Sequence, residues 1–138
     1  MTHIFNQSRQ AALFLAGLGT SLGGLYTLFP QWAVENLNQL TYVVDNTIFI
    51  QHWGFMVLML GCSFFIAMVR STWIKPLFCI ALIEKLFFIS LVLSNANQSF
   101  VDGFWLSMVM DSIICAYIAA YLWFCRTTAD LTSQAKQT

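Results

Sequence analysis

The stretch FMVLMLGCSFFIAMVRSTWIKPLFCIALIEKLFFISLV, residues 55–92, decides the fold. Two long apolar runs are separated only by RSTWIKP, residues 70–76. A link this short makes the flanking helices antiparallel neighbours. Helices of about 20 residues, at about 1.5 Å per residue, cross a hydrocarbon layer of roughly 30 Å. Pro76 suits the first turn of the second of these helices, because the N–H that proline lacks would have no helical partner there.

Working outward, two more runs of the same kind complete a set at residues 10–29, 46–69, 77–94 and 103–125. The chain has 138 residues, 59% hydrophobic and 9% charged, whereas soluble domains carry about a quarter charged residues. The reading is all-α: an integral membrane four-transmembrane-helix bundle, one membrane domain over residues 1–138, whose first partner is the lipid bilayer. Little chain lies outside the spans, so any chemistry falls to the bundle itself. The first run follows Arg9 and is uncharged. It is longer than a secretory signal core, and no small-x-small cleavage site follows it, so it is kept as a helix. A net charge of zero argues against nucleic acid as a partner, which needs a clustered basic patch.

Arg9, Arg70, Lys75, Arg126 and Lys136 all fall on one side of this topology. The loops on the other side, residues 30–45 and 95–102, hold no Lys or Arg and the acids Glu35, Asp45 and Asp102. The positive-inside rule then places both termini in the cytoplasm, N-in/C-in, with a bacterial inner membrane as the expected setting. Trp32, Tyr42 and Trp105 flank the outer face and Trp73, Tyr121 and Trp123 the inner one, where amphipathic rings prefer to sit. In the loop after Pro30, Trp32, Val34, Leu37 and Leu40 recur at helical spacing. That pattern fits a short interfacial helix, and an ordered lid fits it equally.

An ionisable side chain near the middle of a membrane helix costs about 2.5–3.5 kcal/mol on the insertion scale, so it faces a partner, a cavity or water. Here these residues are His52, Glu84, Lys85 and Asp111. At about 1.5 Å per residue, Glu84 lies about 15 Å, Asp111 about 12 Å and His52 about 9 Å from the outer boundary. With Gln51 and Ser107 they form a candidate polar layer. Glu84 and Lys85 are adjacent, so they diverge by roughly 100° around the helix and do not meet as an i,i+4 couple would. Each calls for a partner on another helix: Asp111 for Lys85, and His52 or Gln51 for Glu84. Two readings of the layer stand side by side: internal pairs that fix helix register, or a site that handles a ligand or protons.

Ser107, Asp111 and Cys115 share one face of the last helix, and Thr47, Gln51, Gly54, Leu58 and Gly61 one face of the second. Both faces are expected to point inward. The segment AGLGTSLGG, residues 16–24, is a small-residue surface that lets helix backbones approach closely. Cys62, Cys79, Cys115 and Cys125 contain no C-x-x-C pair and read as small buried apolar residues. His3 lies in the tail, so one chain offers no bis-histidine haem ligation. No metal site is assigned, since a lone membrane histidine more often bonds a carboxylate.

The order of LGGLYTLFP (residues 22–30), an amphipathic link, QHWGFMVLMLGCSFFIAM (residues 51–68) and EKL (residues 84–86) resembles the DoxX-like families of small four-helix membrane proteins. The resemblance implies a compact bundle with an outward-facing interior pocket. It belongs to a group in which some members are linked to quinone-coupled sulfur oxidation and most have no assigned activity, and no catalytic set carries over.

Three functions follow as expectations. The leading one is a bundle that binds a small apolar molecule or a membrane partner, a second copy included, with the polar layer at one end of an apolar pocket. The second is a quinone-linked oxidoreductase component or an isomerase of a lipid-soluble substrate, with Glu84 or Asp111 transferring protons. The third is an oligomeric transporter or proton channel, against which stand an expected absence of broken helices and of a duplicated half. The residues single out no reaction and no cofactor.

Overall fold

The computed structural model describes the backbone of residues 2–134 and the side chains of residues 9–124. His3, Cys125, Arg126 and Lys136 of the sequence reading lie outside the residues whose side chains are described. The elements are α1 (Thr2–Ser21), α2 (Gly24–Leu28), α3 (Pro30–Asn36), α4 (Thr47–Val69), α5 (Ile74–Ser94) and α6 (Trp105–Gln134). A 3-10 segment precedes each of α4, α5 and α6, a single turn before the first two and six residues, Ser99–Phe104, before α6. Four segments are long and apolar enough to cross a membrane: Arg9–Leu28, Val44–Val69, Ser71–Ser94 and Ser99–Phe124.

The first span is not the continuous helix expected over residues 10–29. At Leu22–Gly23 the bonding tightens: Leu22 N–H donates to Gly19 O at 3.3 Å and Gly23 N–H to Thr20 O at 3.0 Å, three residues back instead of four. Adjacent glycines at 23 and 24 permit this, as small-residue pairs commonly do at helix kinks. The carbonyls that end α2 would be orphaned in an apolar setting. Gln51 on α4 meets one of them. Its Nε2 donates to Thr27 O at 3.0 Å, and Thr27 Oγ1 donates back to Gln51 O at 3.1 Å. Pro30 then opens α3 at a position where no N–H is needed.

The spans pack as two hairpins, α1–α2 on α4 and α5 on α6, with α4 also touching α5. Helices this apolar approach closely where small residues face each other. Glycines provide that closeness on the α1–α4 seam. A Cβ on Gly54 would lie 2.7 Å from Gly23 O and 2.8 Å from the Tyr26 Cβ, and one on Gly61 would collide with Ser21. Gly17 faces Phe65, whose nearest ring atom would be 3.0 Å from an added Cβ.

The core gathers at the end where α1 begins and α4 ends. Leu13, Phe64, Ala67, Phe78, Ala81 and Ile118 are buried there in one cluster drawn from all four spans. Phe78 stands edge-on to Tyr121 at 5.1 Å, and Gln10 Nε2 reaches the Met68 carbonyl at 3.2 Å. Arg9, Arg70 and Lys75 lie at this end, while Glu35 in α3 and Asp45 and Asp102 in the 3-10 segments belong to the connections at the other. Serines on the outer helix surfaces satisfy themselves: Ser63 donates to Met59 O and Ser112 to Met108 O, each at 2.8 Å.

Cys115 is buried, but Cys62 and Cys79 are exposed, which corrects the expectation of buried thiols. Each follows a buried residue, Gly61 and Phe78. A step of one residue turns the side chain about 100° away from the packed face. A thiol is apolar enough for that surface.

Candidate functional site

The core fills one half of the bundle and leaves space in the other. A cavity of about 300 Å³ is walled by all four spans, with Thr20, Tyr26, Trp53, Glu84, Ser107 and Asp111 among its lining residues. At its wall Lys85 is 3% exposed and donates from Nζ to Asp111 Oδ1 at 2.6 Å. Glu84 Oε2 lies 3.7 Å from the same ammonium and has no hydrogen-bond partner. One ammonium therefore lies within reach of two carboxyl groups beside the cavity.

The loop end is closed by a lid. After α3 the chain runs on without helix, and Gln39 takes φ 56°, the left-handed conformation a non-glycine residue adopts at a cost. The reversal leaves Asn38 4% exposed. Its Oδ1 accepts from Tyr26 OH at 2.5 Å, and its Nδ2 donates to Gly103 O at 2.9 Å. An added Cβ on Gly103 would strike Asn38 O, so glycine is what lets the two loops touch. Trp53 stands edge-on to Tyr26 at 5.1 Å, and Phe88 edge-on to Phe104 at 6.1 Å.

A second cavity of about 320 Å³ lies under the lid, lined by Leu40, Thr41 and Asn46 among others. Tyr26, Asn38, Trp53, Phe88 and Phe104 line both spaces. These five side chains form a shared wall between the loop end and the charge cluster.

Of the residues singled out from sequence, Glu84, Lys85, Ser107 and Asp111 meet at the cavity. Lys85 takes Asp111, the partner expected for it. Glu84 takes neither His52 nor Gln51. Gln51 is engaged with Thr27, and His52 is exposed on the outer surface of α4. Gln51, Gly54, Leu58 and Gly61 mark the packed face of α4, and His52 is one residue off it, so the rotation that removes His52 was readable in the spacing. The inward face of α6 shows the same gradation: Ser107 is exposed at the cavity mouth, Asp111 half-buried and Cys115 buried. Asn38 and Tyr26 were missed. Asn38 meets its partner Gly103 across a sequence separation of 65 residues, and no local pattern announces such a contact. Among the described residues no group of three His, Cys, Asp or Glu side chains is arranged to hold a metal ion.

Comparison with family models, curated proteins and solved structures finds no match to this chain. Over the described residues the chain is all-helical, with four helices apolar and long enough to cross a membrane.

Proposed function

We propose that this is a membrane protein with both termini in the cytoplasm, which binds a small, largely apolar molecule between its four spans and orients it against Glu84, Lys85 and Asp111. The observation that carries this reading is the cavity itself. An ion pair that served only to fix helix register would be packed around, whereas this one borders about 300 Å³ of space shared by all four spans. That volume is at the lower end of the range for ligand pockets, about 300–1,000 Å³. The aromatic walls with a few convergent polar groups are the usual composition of such sites. The cytoplasmic placement of the termini rests on the basic residues at one end and the acids at the other. The layout of the DoxX-like families, with an interior pocket facing outward, agrees with it.

Native mass spectrometry of the protein released gently from its own membrane tests the reading. A retained small molecule, lost in Ser107→Phe, is the expected result. A folded wild-type protein that never carries one overturns it.

Proton transfer on a lipid-soluble substrate is a second reading, favoured by the Glu84 carboxylate, which lines the cavity with Oε2 lacking a hydrogen bond. It requires a turnover that Glu84→Gln abolishes while the bound molecule is kept.

A further inference from the structure

Toward the core the cavity ends at Ile114, which packs on the buried cluster, and toward the loops it is lined by Asn38 and Gly103 of the lid. Its side between the first and last spans is different. Leu15 and Leu22 on the first, with Leu106 and Met110 on the last, all line the cavity, yet they are 65%, 57%, 77% and 51% exposed. A residue that both lines a cavity and stands on the outer surface is part of a rim. Ser107 is the one polar side chain that shares this exposed rim with them, and α1 and α6 are not among the closely packed helix pairs.

Gly19 sits in the middle of that rim. The glycines of the α1–α4 seam leave no room for a Cβ, but a Cβ on Gly19 would meet nothing within 4 Å. Helix packing therefore does not account for glycine at this position. Its effect is to leave the seam open.

A second, independent observation concerns polar atoms. Thr20 lines the cavity, is 6% exposed, and its Oγ1 is buried with no hydrogen-bond partner. A helical threonine ordinarily bonds back to the preceding turn, and a buried oxygen without a partner is costly. Glu84 Oε2 also makes no hydrogen bond, although it lies 3.7 Å from Lys85 Nζ, and the cluster holds two carboxyl groups to one ammonium. Both oxygens accept hydrogen bonds, and with two carboxyl groups already sharing one ammonium the site offers no spare cation to an anionic head group.

We propose that the cavity is loaded sideways from the lipid layer, through the seam at Gly19 between the first and last spans, by a single-chain amphiphile whose head group donates hydrogen bonds, an alcohol or a primary amine. This rests on the ligand-binding reading above and specifies its ligand and route. Size supports a partial fit: about 300 Å³ holds about ten groups of water size at about 30 Å³ each. That is room for a head and the first methylenes, with the rest of the chain passing through the seam into the bilayer.

The test uses the full-length protein in lipid vesicles with diazirine-bearing dodecanol, its methyl ether, dodecanoate and butanol, the photoreactive group placed beside the head, and labelled peptides mapped. The expected result is labelling around Glu84, Ser107 and Asp111 that unlabelled dodecanol competes away, with dodecanol favoured over the ether and over dodecanoate by about tenfold, the effect of a hydrogen bond to a charged group. Gly19→Phe should lower dodecanol labelling by a comparable factor and leave butanol labelling unchanged. Met110→Trp narrows the seam from the opposite side and should act in the same way, which keeps the test valid if Gly19→Phe fails to fold.

Equal labelling by dodecanol in wild type and both plugged variants overturns the seam while the ligand-binding reading stands. Loss of butanol labelling together with dodecanol also overturns it, because the cavity itself has then been filled. Equal labelling by dodecanol and its ether overturns the head-group class. Absence of competable cavity labelling by every probe defeats the ligand-binding reading itself.

Discussion

Lys85 on α5, a residue only 3% exposed, reaches Asp111 on α6 with 2.6 Å between Nζ and Oδ1. The pair ties the second hairpin together at the depth where the bundle holds open space. Glu84, 3.7 Å from the same ammonium, makes the two partners unequal.

Removing Lys85 strands two carboxylates, whereas removing Asp111 leaves Lys85 still compensated by Glu84. Lys85→Met should therefore cost about 3–5 kcal/mol, the usual loss when a buried pair is broken on one side. Asp111→Asn should cost clearly less, about 1–3 kcal/mol. The triple change Glu84→Gln, Lys85→Met, Asp111→Asn should recover most of the Lys85→Met loss, since no charge is then left unpaired. Unfolding in mixed micelles measures all three, and equal losses for the two single variants would contradict the shared ammonium.

Gln51→Leu should destabilise by about 1–3 kcal/mol, because Thr27 O at the end of α2 loses its donor in surroundings that offer no replacement. His52→Leu, one residue away on the exposed surface of α4, should change stability by less than about 0.5 kcal/mol. The same unfolding assay separates them.

The spans, their order and the Lys85–Asp111 pairing were legible in the sequence for simple reasons. Apolar run length fixes the spans, and two adjacent charges that diverge around a helix force a search for partners elsewhere. The small-residue stretch over residues 16–24 marked the packing surface of the first helix, but composition does not distinguish Gly23, which is wedged against Val57, from Gly19, which meets nothing. That distinction depends on helix rotation and on which neighbour stands opposite. The tightened turn at Leu22–Gly23 and the burial of Asn38 were not legible either. Both are decided by partners far along the chain, Gly54 and Gly61 for the first and Gly103 for the second.

The glycine contrast is itself measurable. Gly54→Ala and Gly61→Ala place a Cβ against the backbone of the first span and should each cost about 1–3 kcal/mol by overpacking. Gly19→Ala meets no atom and should be neutral or slightly stabilising, by up to about 1 kcal/mol, since alanine is the better helix former. A loss at Gly19 equal to that at Gly61 would contradict the open seam.

Asn38→Ala should release the lid. Tyr26 OH loses its acceptor and Gly103 O its donor, so amide exchange over residues 37–43 should accelerate by about tenfold or more, as removal of one or two hydrogen bonds allows. Exchange in the α4 and α5 spans should be unchanged. Uniform acceleration across the bundle would show that Asn38 supports the whole fold and not the lid.

The most direct measurement is solid-state NMR on protein with ¹⁵N-labelled lysine and ¹³C-labelled aspartate in deuterated lipid bilayers containing protonated dodecanol. The expected result is a Lys85 Nζ signal that is correlated with the Asp111 carboxyl and also receives magnetisation from dodecanol protons, while Lys75, exposed at the other end of the bundle, receives none. A Lys85–Asp111 correlation with no transfer from dodecanol would leave an ion pair enclosed in protein, and would contradict the placement of this charge cluster at a ligand-holding cavity.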